Sequence, residues 1–113
     1  YPERIPNPTL PMLKLDQIRN LQFEKPDYHR FPCLRLAIEA GKTGGTYPAV
    51  LCGADEVAVD LFLQKRIRLT DIARLVEKVM SMHSPVYHPD FDTIMEAENW
   101  ARETVKKLLN GAN

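Results

Sequence analysis

The chain has 113 residues, of which 44% are hydrophobic and 27% charged, and its 15 basic and 15 acidic residues give a net charge of zero. This length is typical of one domain, and the composition is that of a globular protein. Zero net charge gives no electrostatic reason to hold a polyanion, and no apolar run approaches the roughly 20 residues of a bilayer span. We therefore expect neither nucleic acid nor a membrane as partner. The chain starts at Tyr1 and not at methionine, which leads us to expect a piece of a longer protein.

Residues 1–31 are predicted to form an extended linker arm. Proline removes a backbone donor and fixes φ, and the first 32 residues hold six of the nine prolines: Pro2, Pro6, Pro8, Pro11, Pro26 and Pro32. Apolar and polar residues alternate in Leu13-Lys14-Leu15 and Leu21-Gln22-Phe23, which favours extended chain, with one helical turn expected over 16–20. Since the sequence offers no sheet for these apolar side chains, we predict that the arm packs on another domain. The alternative is a disordered proline-rich tail.

From Pro32 onward the pattern is helical, and residues 32–113 are predicted to form a C-terminal helical domain. The first helix should begin at Pro32, end at Gly44-Gly45 and bury the stripe Leu34, Ala37, Ile38 and Gly41. Thr46 is predicted to cap a second helix, Gly53 to interrupt it, and Asp55 to cap its restart. This helix should be central and buried because it is apolar on several sides, at Val57, Val59, Leu61, Phe62 and Leu63.

Two further helices complete the predicted domain. Thr70 should cap the third, which ends before Pro85 and presents the apolar stripe Ile72, Leu75, Val76, Val79 and Met80. Asp90 or Asp92 should open the last helix, which Gly111 stops and whose stripe is Ile94, Ala97, Ala101, Val105 and Leu108. The sequence therefore predicts an all-α fold, a small bundle of four or five helices preceded by the proline-rich arm.

The run Gly41-Lys42-Thr43-Gly44-Gly45-Thr46 is superficially similar to a phosphate-binding loop. A Walker loop needs a further glycine five residues before its Gly-Lys-Thr and should follow a strand. Here that position is Leu36, within a predicted helix. We therefore interpret the run as a helix end followed by a turn.

The cysteines and histidines were considered as metal ligands or catalytic groups. Their spacings match no compact zinc-ligand pair, although together they would make a full set: His29, Cys33, Cys52, His83 and His88. Cys33, near a helix N-terminus that would lower its thiol pKa, or Cys52 could act as a nucleophile with a histidine base. No local motif supports that chemistry, so both are interpreted as reduced structural thiols.

Two other features have a structural interpretation beside a functional one. Asp55 and Glu56 next to Gly53 could bind a ligand, but carboxylates at this place more often cap a helix. Trp100, the only tryptophan, is either an interface anchor or an aromatic residue at the edge of the core. We predict no catalytic, cofactor-binding or metal-binding residue in this chain.

Longer motifs point to a family. The runs Phe31-Pro32-Cys33-Leu34-Arg35-Leu36-Ala37-Ile38-Glu39-Ala40-Gly41 and Ile67-Arg68-Leu69-Thr70-Asp71-Ile72-Ala73 resemble the C-terminal part of 1-deoxy-D-xylulose 5-phosphate reductoisomerase. Three shorter motifs occur in the same order as in the family: Pro48-Ala49-Val50-Leu51, Asp55-Glu56-Val57-Ala58-Val59 and Trp100-Ala101-Arg102-Glu103. Upstream, Tyr1-Pro2-Glu3-Arg4 is similar to the family's linker. The resemblance spans nearly the whole chain but only the last part of that enzyme.

The resemblance implies an enzyme with an NADPH-binding domain, a catalytic domain that binds a divalent cation (Mg or Mn) and the sugar phosphate, and a C-terminal helical domain. That enzyme isomerises and reduces 1-deoxy-D-xylulose 5-phosphate to 2-C-methyl-D-erythritol 4-phosphate in non-mevalonate isoprenoid biosynthesis. It implies that the two upstream domains are this chain's partners, with a homodimer as a further expectation, and a location in the cytoplasm or in a plastid-type organelle. About 280 residues would precede Tyr1.

The functional residues of the family match no position in this chain, because its cofactor, metal and substrate motifs belong to earlier segments. One departure is Cys52-Gly53-Ala54-Asp55-Glu56, where the family commonly has Asn-Ala-Ala-Asn-Glu, and it leaves the docking of the domain on its neighbour open. The chain alone is therefore expected to be inactive. A free-standing helical interaction module is the alternative.

Overall fold

The computed structural model describes residue 3, residues 5–18 and residues 20–110, and all regular secondary structure within these residues is helical. There are four helices in this part of the chain: α1, Pro32–Thr43; α2, Tyr47–Leu63; α3, Leu69–Met82; and α4, Phe91–Asn110. The predicted all-α bundle is therefore confirmed. In the described part of the chain, no helix combines the length and the apolar character needed to cross a bilayer.

The second helix is the centre of the bundle, as predicted. α2 packs on each of the other three helices, and most extensively on α4. Its buried positions are Val50, Gly53, Ala54, Ala58 and Leu61. Of the apolar residues that favoured this placement, Leu63 is exposed at the end of the helix. The core therefore forms around a helix whose contact face is made mostly of small residues.

The predicted break at Gly53 is wrong, because α2 runs without interruption from Tyr47 to Leu63. A Cβ at Gly53 would lie 2.6 Å from the backbone oxygen of Glu98 in α4, well inside van der Waals contact. The glycine therefore serves the close approach of two helices. Asp55 lies inside the helix and caps nothing, so that prediction is also wrong.

The predicted buried face of α1 is wrong as well. The residues of α1 that enter the core are Leu36 and Ala40, while the predicted stripe of Leu34, Ala37, Ile38 and Gly41 is exposed. α1 is apolar on two sides, and periodicity alone does not distinguish the side that faces the bundle from the side that faces away. The start at Pro32 and the end before Gly44 are confirmed.

The last two helices follow the prediction with one change. Four members of the predicted α3 stripe are buried, Ile72, Val76, Val79 and Met80, while Leu75 is half-buried. The N-cap of α3 is Arg68 and not Thr70: the Asp71 carboxylate accepts the backbone N–H of Arg68 at 2.9 Å. Asp90 caps α4, since its Oδ1 accepts the backbone N–H of Thr93 at 2.8 Å. The predicted stop at Gly111 lies outside the described residues.

Two arginines connect neighbouring helices on the surface of the bundle. Arg35 of α1 contacts Glu77 of α3 at 2.5 Å and Glu39 of its own helix at 3.1 Å. In the same way, Arg102 of α4 contacts Glu56 of α2 at 2.5 Å and Glu98 of its own helix at 2.7 Å. Solvent screens such pairs, so they align the helices more than they stabilise the fold.

The close approach at Gly53 can be tested with two glycine substitutions. Gly53→Ala should lower the free energy of unfolding by about 1–2 kcal/mol, because overpacking against α4 outweighs the gain of ~1 kcal/mol in helix propensity. The matched control is Gly41→Ala in α1, where a Cβ meets no atom within 4 Å. It should raise the stability by up to about 1 kcal/mol. Urea unfolding followed by circular dichroism measures both, and a gain in stability at Gly53 would contradict the close approach.

Candidate functional site

Neither candidate nucleophile, Cys33 or Cys52, forms a hydrogen bond with a histidine within the described residues. Cys33 is in the first turn of α1 and Cys52 is on α2, and both are exposed. Partial burial, together with the nearby Asp55 carboxylate, raises the pKa of the Cys33 thiol. The expectation that the helix N-terminus lowers this pKa is therefore wrong. Within the described residues, no group of three His, Cys, Asp or Glu side chains is placed to hold a metal ion.

The glycine-rich run forms the end of α1 and a turn. α1 ends at Thr43, and Gly44 and Gly45 follow with φ of 68° and 56°, in the left-handed region that favours glycine. A Cβ at Gly45 would collide with the backbone oxygen of Val86. The run therefore brings the loop between α1 and α2 against the loop between α3 and α4.

These two loops are joined by a set of hydrogen bonds that we call the clasp, made of Thr46, His83 and Val86. Thr46 is the N-cap residue of α2, as predicted, but its fully buried side chain makes no capping hydrogen bond to that helix. Its Oγ1 lies 2.7 Å from His83 Nε2 and accepts the backbone N–H of Val86 at 3.1 Å. The Thr46 backbone N–H in turn donates to the Val86 carbonyl at 3.1 Å. One threonine thereby connects two loops that are about forty residues apart in the chain.

His83 lies between aromatic rings at the edge of the clasp. Its ring centroid is 6.0 Å from that of Tyr47 and 5.2 Å from that of Trp100. Desolvation in this setting lowers the pKa of His83. With Nε2 unprotonated, the His83 ring accepts a hydrogen bond from the Thr46 hydroxyl. The hydroxyl then donates one hydrogen bond to His83 and accepts one from the Val86 N–H. Trp100 is thus placed at the core edge, with its ring against a residue that positions the loop.

An uncovered apolar surface is the feature that the sequence prediction missed. Phe31, Leu34 and Ile38 are 61%, 42% and 38% exposed, and with Ala37 they form what we call the α1 outer face. A recess of about 250 Å³ adjoins it, between Tyr28 and the helix. Contiguous apolar surface of this kind marks contact sites in proteins. The signal in the sequence was the second apolar pair, Leu36 and Ala40, which leaves the first stripe without a place in the core.

The arm also exposes apolar side chains. The described residues before α1 form turns and irregular chain, and most of their large apolar side chains are exposed: Ile5, Leu10, Met12, Leu13, Leu15, Leu21 and Phe23. A turn with two hydrogen bonds lies over residues 14–18, two residues before the predicted range of 16–20, which includes residue 19 outside the described residues. Before α1, the Asp27 carboxylate accepts the backbone N–H groups of His29 and Arg30 and fixes the chain direction.

Comparisons with known proteins agree on one family. The family model described as the DXP reductoisomerase C-terminal domain matches residues 1–104 of the sequence. The 1-deoxy-D-xylulose 5-phosphate reductoisomerase of Acetivibrio thermocellus is 48% identical over 109 residues, 96% of this chain and 28% of that protein. The enzyme of the same name from a Synechococcus species is 45% identical over 112 residues, 99% of this chain and 28% of its own length. The chain thus spans less than a third of these relatives.

A solved structure gives the same result for the fold. The chain superimposes on 1-deoxy-D-xylulose 5-phosphate reductoisomerase from Zymomonas mobilis, solved in complex with NADPH, with a TM-score of 0.83 and 38% sequence identity. The match covers 96% of this chain and 29% of that one.

The clasp can be tested by removing its hydroxyl. Thr46→Val keeps the shape of the side chain but leaves the Val86 N–H and His83 Nε2 without their partner. We expect the free energy of unfolding to fall by about 1–3 kcal/mol, measured by urea unfolding. Thr70→Val in the first turn of α3 is the control, because Thr70 is exposed. It should change stability by less than about 0.5 kcal/mol, and equal losses in the two variants would contradict the clasp.

The lowered pKa of His83 predicts a pH dependence of stability. Below the ordinary histidine pKa near 6.5, the unfolded chain binds a proton that the folded chain resists. The free energy of unfolding should therefore fall as the pH decreases from 7.5 to 5.5. His83→Asn should flatten this dependence, whereas His88→Asn, in the exposed neighbouring loop, should keep it. Asparagine suits the positive φ of 54° at His88. An unchanged pH profile in His83→Asn would show that another group is responsible.

Proposed function

The chain belongs to the family of DXP reductoisomerase C-terminal domains, and on that ground we propose that it is the linker and C-terminal helical domain of a 1-deoxy-D-xylulose 5-phosphate reductoisomerase. The observation that carries this proposal is coverage: 96–99% of the chain aligns with relatives of which it spans only 28%. In the whole enzyme the helical domain would support the catalytic domain.

The reaction proposed for the whole enzyme is the isomerisation and NADPH-dependent reduction of 1-deoxy-D-xylulose 5-phosphate to 2-C-methyl-D-erythritol 4-phosphate. The Zymomonas mobilis relative, which was solved with NADPH, supports the cofactor. We extend the proposal to a divalent cation, Mg or Mn, bound by the catalytic domain, and to a cytoplasmic or plastid location. The upstream domains would supply both the NADPH site and the cation site.

We propose a division into a linker arm, residues 1–31, and a helical domain, residues 32–113, with no catalytic, cofactor-binding or metal-binding residue in either. The start of α1 at Pro32 supports the boundary. The use of the carboxylates supports a structural role. Asp71 and Asp90 cap helices, and four glutamates pair with Arg35 and Arg102: Glu39, Glu56, Glu77 and Glu98.

The proposed contact with the upstream domains is made by the arm and the α1 outer face. Burying a large apolar side chain is worth about 1.5–3 kcal/mol, and Phe31, Leu34 and Ile38 are positioned to gain that on docking. Ordering the arm costs about 1–2 kcal/mol per residue, so it should order only where the partner also accepts its backbone hydrogen bonds. A second copy of the chain is the other partner proposed, and sedimentation of the chain alone tests it.

A chimera tests the proposal. The C-terminal 29% of the Zymomonas mobilis enzyme is replaced by this chain, the share that the two have in common. We expect substrate-dependent NADPH oxidation by the chimera and none by this chain or by the truncated enzyme alone. Within the chimera, Ile38→Asp should lower the activity at least tenfold, because a charge in a buried contact is costly.

The matched control is Asn99→Asp, which adds the same charge at an exposed position of α4 and should retain the activity. Circular dichroism of the chain carrying each substitution verifies that the helices remain folded. An active chimera in which Ile38→Asp behaves like Asn99→Asp would remove the α1 outer face from the proposal. NADPH oxidation by the chain alone would overturn its non-catalytic role.

A further inference from the structure

A second recess is lined by residues that do not line the first. It has a volume of about 460 Å³ and opens between the link from α2 to α3, helix α3 and the end of α4. Its floor consists of four half-buried apolar side chains, which are Ile67, Leu75, Leu108 and Leu109. We call it the basic groove because cationic side chains line its rim. Its size falls within the range of about 300–1,000 Å³ found for small-molecule sites.

The rim of the basic groove carries an excess of positive charge. Three cationic side chains line it, Arg66, Arg74 and Lys78, against the single carboxylate of Asp71. That carboxylate is already used: it pairs with Arg74 and accepts the backbone N–H of Arg68. Arg66 and Lys78 form no ion pair within the described residues. Because the chain as a whole is neutral, this excess is a local property of the groove.

We propose that the basic groove binds a small anionic amphiphile from solution, with its apolar body on the leucine and isoleucine floor and its anionic head between Arg66 and Lys78. Charge complementarity carries this choice, since an apolar floor alone would suit any hydrophobic ligand. The concave shape favours a single small molecule over a bilayer, whose surface is contacted by a protruding apolar helix face. This site is independent of the proposed function.

A competing explanation for the cations is the C-terminus of α4. Leu108 and Leu109 are in its last turn, and basic side chains near such an end interact favourably with the helix dipole. Under that explanation, removing the cations would lower stability and leave ligand affinity unchanged. The two explanations therefore predict different results for the same substitutions.

The test is calorimetric titration of the chain with octyl phosphate, below its micelle-forming concentration. We expect one molecule bound per chain, with inorganic phosphate and octanol each at least about tenfold weaker, because each lacks one half of the interaction. Arg66→Gln and Lys78→Gln should each weaken binding about three- to tenfold, as expected for partly exposed charge pairs. Lys42→Gln, on the exposed surface of α1, is the matched control and should leave the affinity unchanged.

A floor substitution and a vesicle assay complete the test. Leu109→Gln should weaken octyl phosphate at least threefold while leaving the weak binding of inorganic phosphate unchanged. Unfolding of each variant is followed in urea, so that a lost fold is distinguished from a lost site. Equal affinities for octyl phosphate and octanol, no effect of the Arg66→Gln/Lys78→Gln double variant, or several molecules bound per chain would overturn the proposal. So would cosedimentation with anionic lipid vesicles that octyl phosphate does not displace.

Discussion

The close packing of α2 on α4 is the constraint on which the rest of the molecule depends. At Gly53 the two helices approach so closely that the backbone of α4 occupies the space of a side chain. Both helices also bury alanines, which are Ala54 and Ala58 in α2 and Ala97 and Ala101 in α4. Small residues bring helix axes near and maximise backbone contact, but they contribute little apolar area of their own. The larger aliphatic side chains of α3 therefore supply much of the remaining core.

Hydrogen bonds and ion pairs supplement the small apolar core. The clasp joins two loops through the buried Thr46 hydroxyl, and the paired arginines connect α1 to α3 and α2 to α4. Within the described residues, no buried side-chain nitrogen or oxygen lacks a hydrogen-bond partner. Many of the polar and charged side chains that could be considered as catalytic or binding groups thus form hydrogen bonds or ion pairs within the bundle. This use of the polar groups agrees with the supporting role that we propose for the domain.

The apolar surfaces of the molecule are distributed unevenly. The arm and the α1 outer face both expose large apolar side chains. The basic groove lies elsewhere, on α3 and the end of α4, and combines apolar and cationic groups. The first surface resembles one face of a domain interface, whereas the second has the dimensions of a small-molecule site. The two surfaces therefore suit partners of different chemistry.

Four helices and most of their ends could be predicted from local sequence signals. Proline and glycine limited α1, the stripe from Ile72 to Met80 placed α3, and Asp90 capped α4, because these signals act within one or two turns of the chain. Three other features depend on how the helices pack: Gly53 is a contact, the Thr46 hydroxyl binds another loop, and Leu34 and Ile38 face outward. The sequence alone does not distinguish a glycine that interrupts a helix from one that allows a neighbouring helix to pack closely. Likewise, a helix with two apolar faces has no inner side until something packs against it.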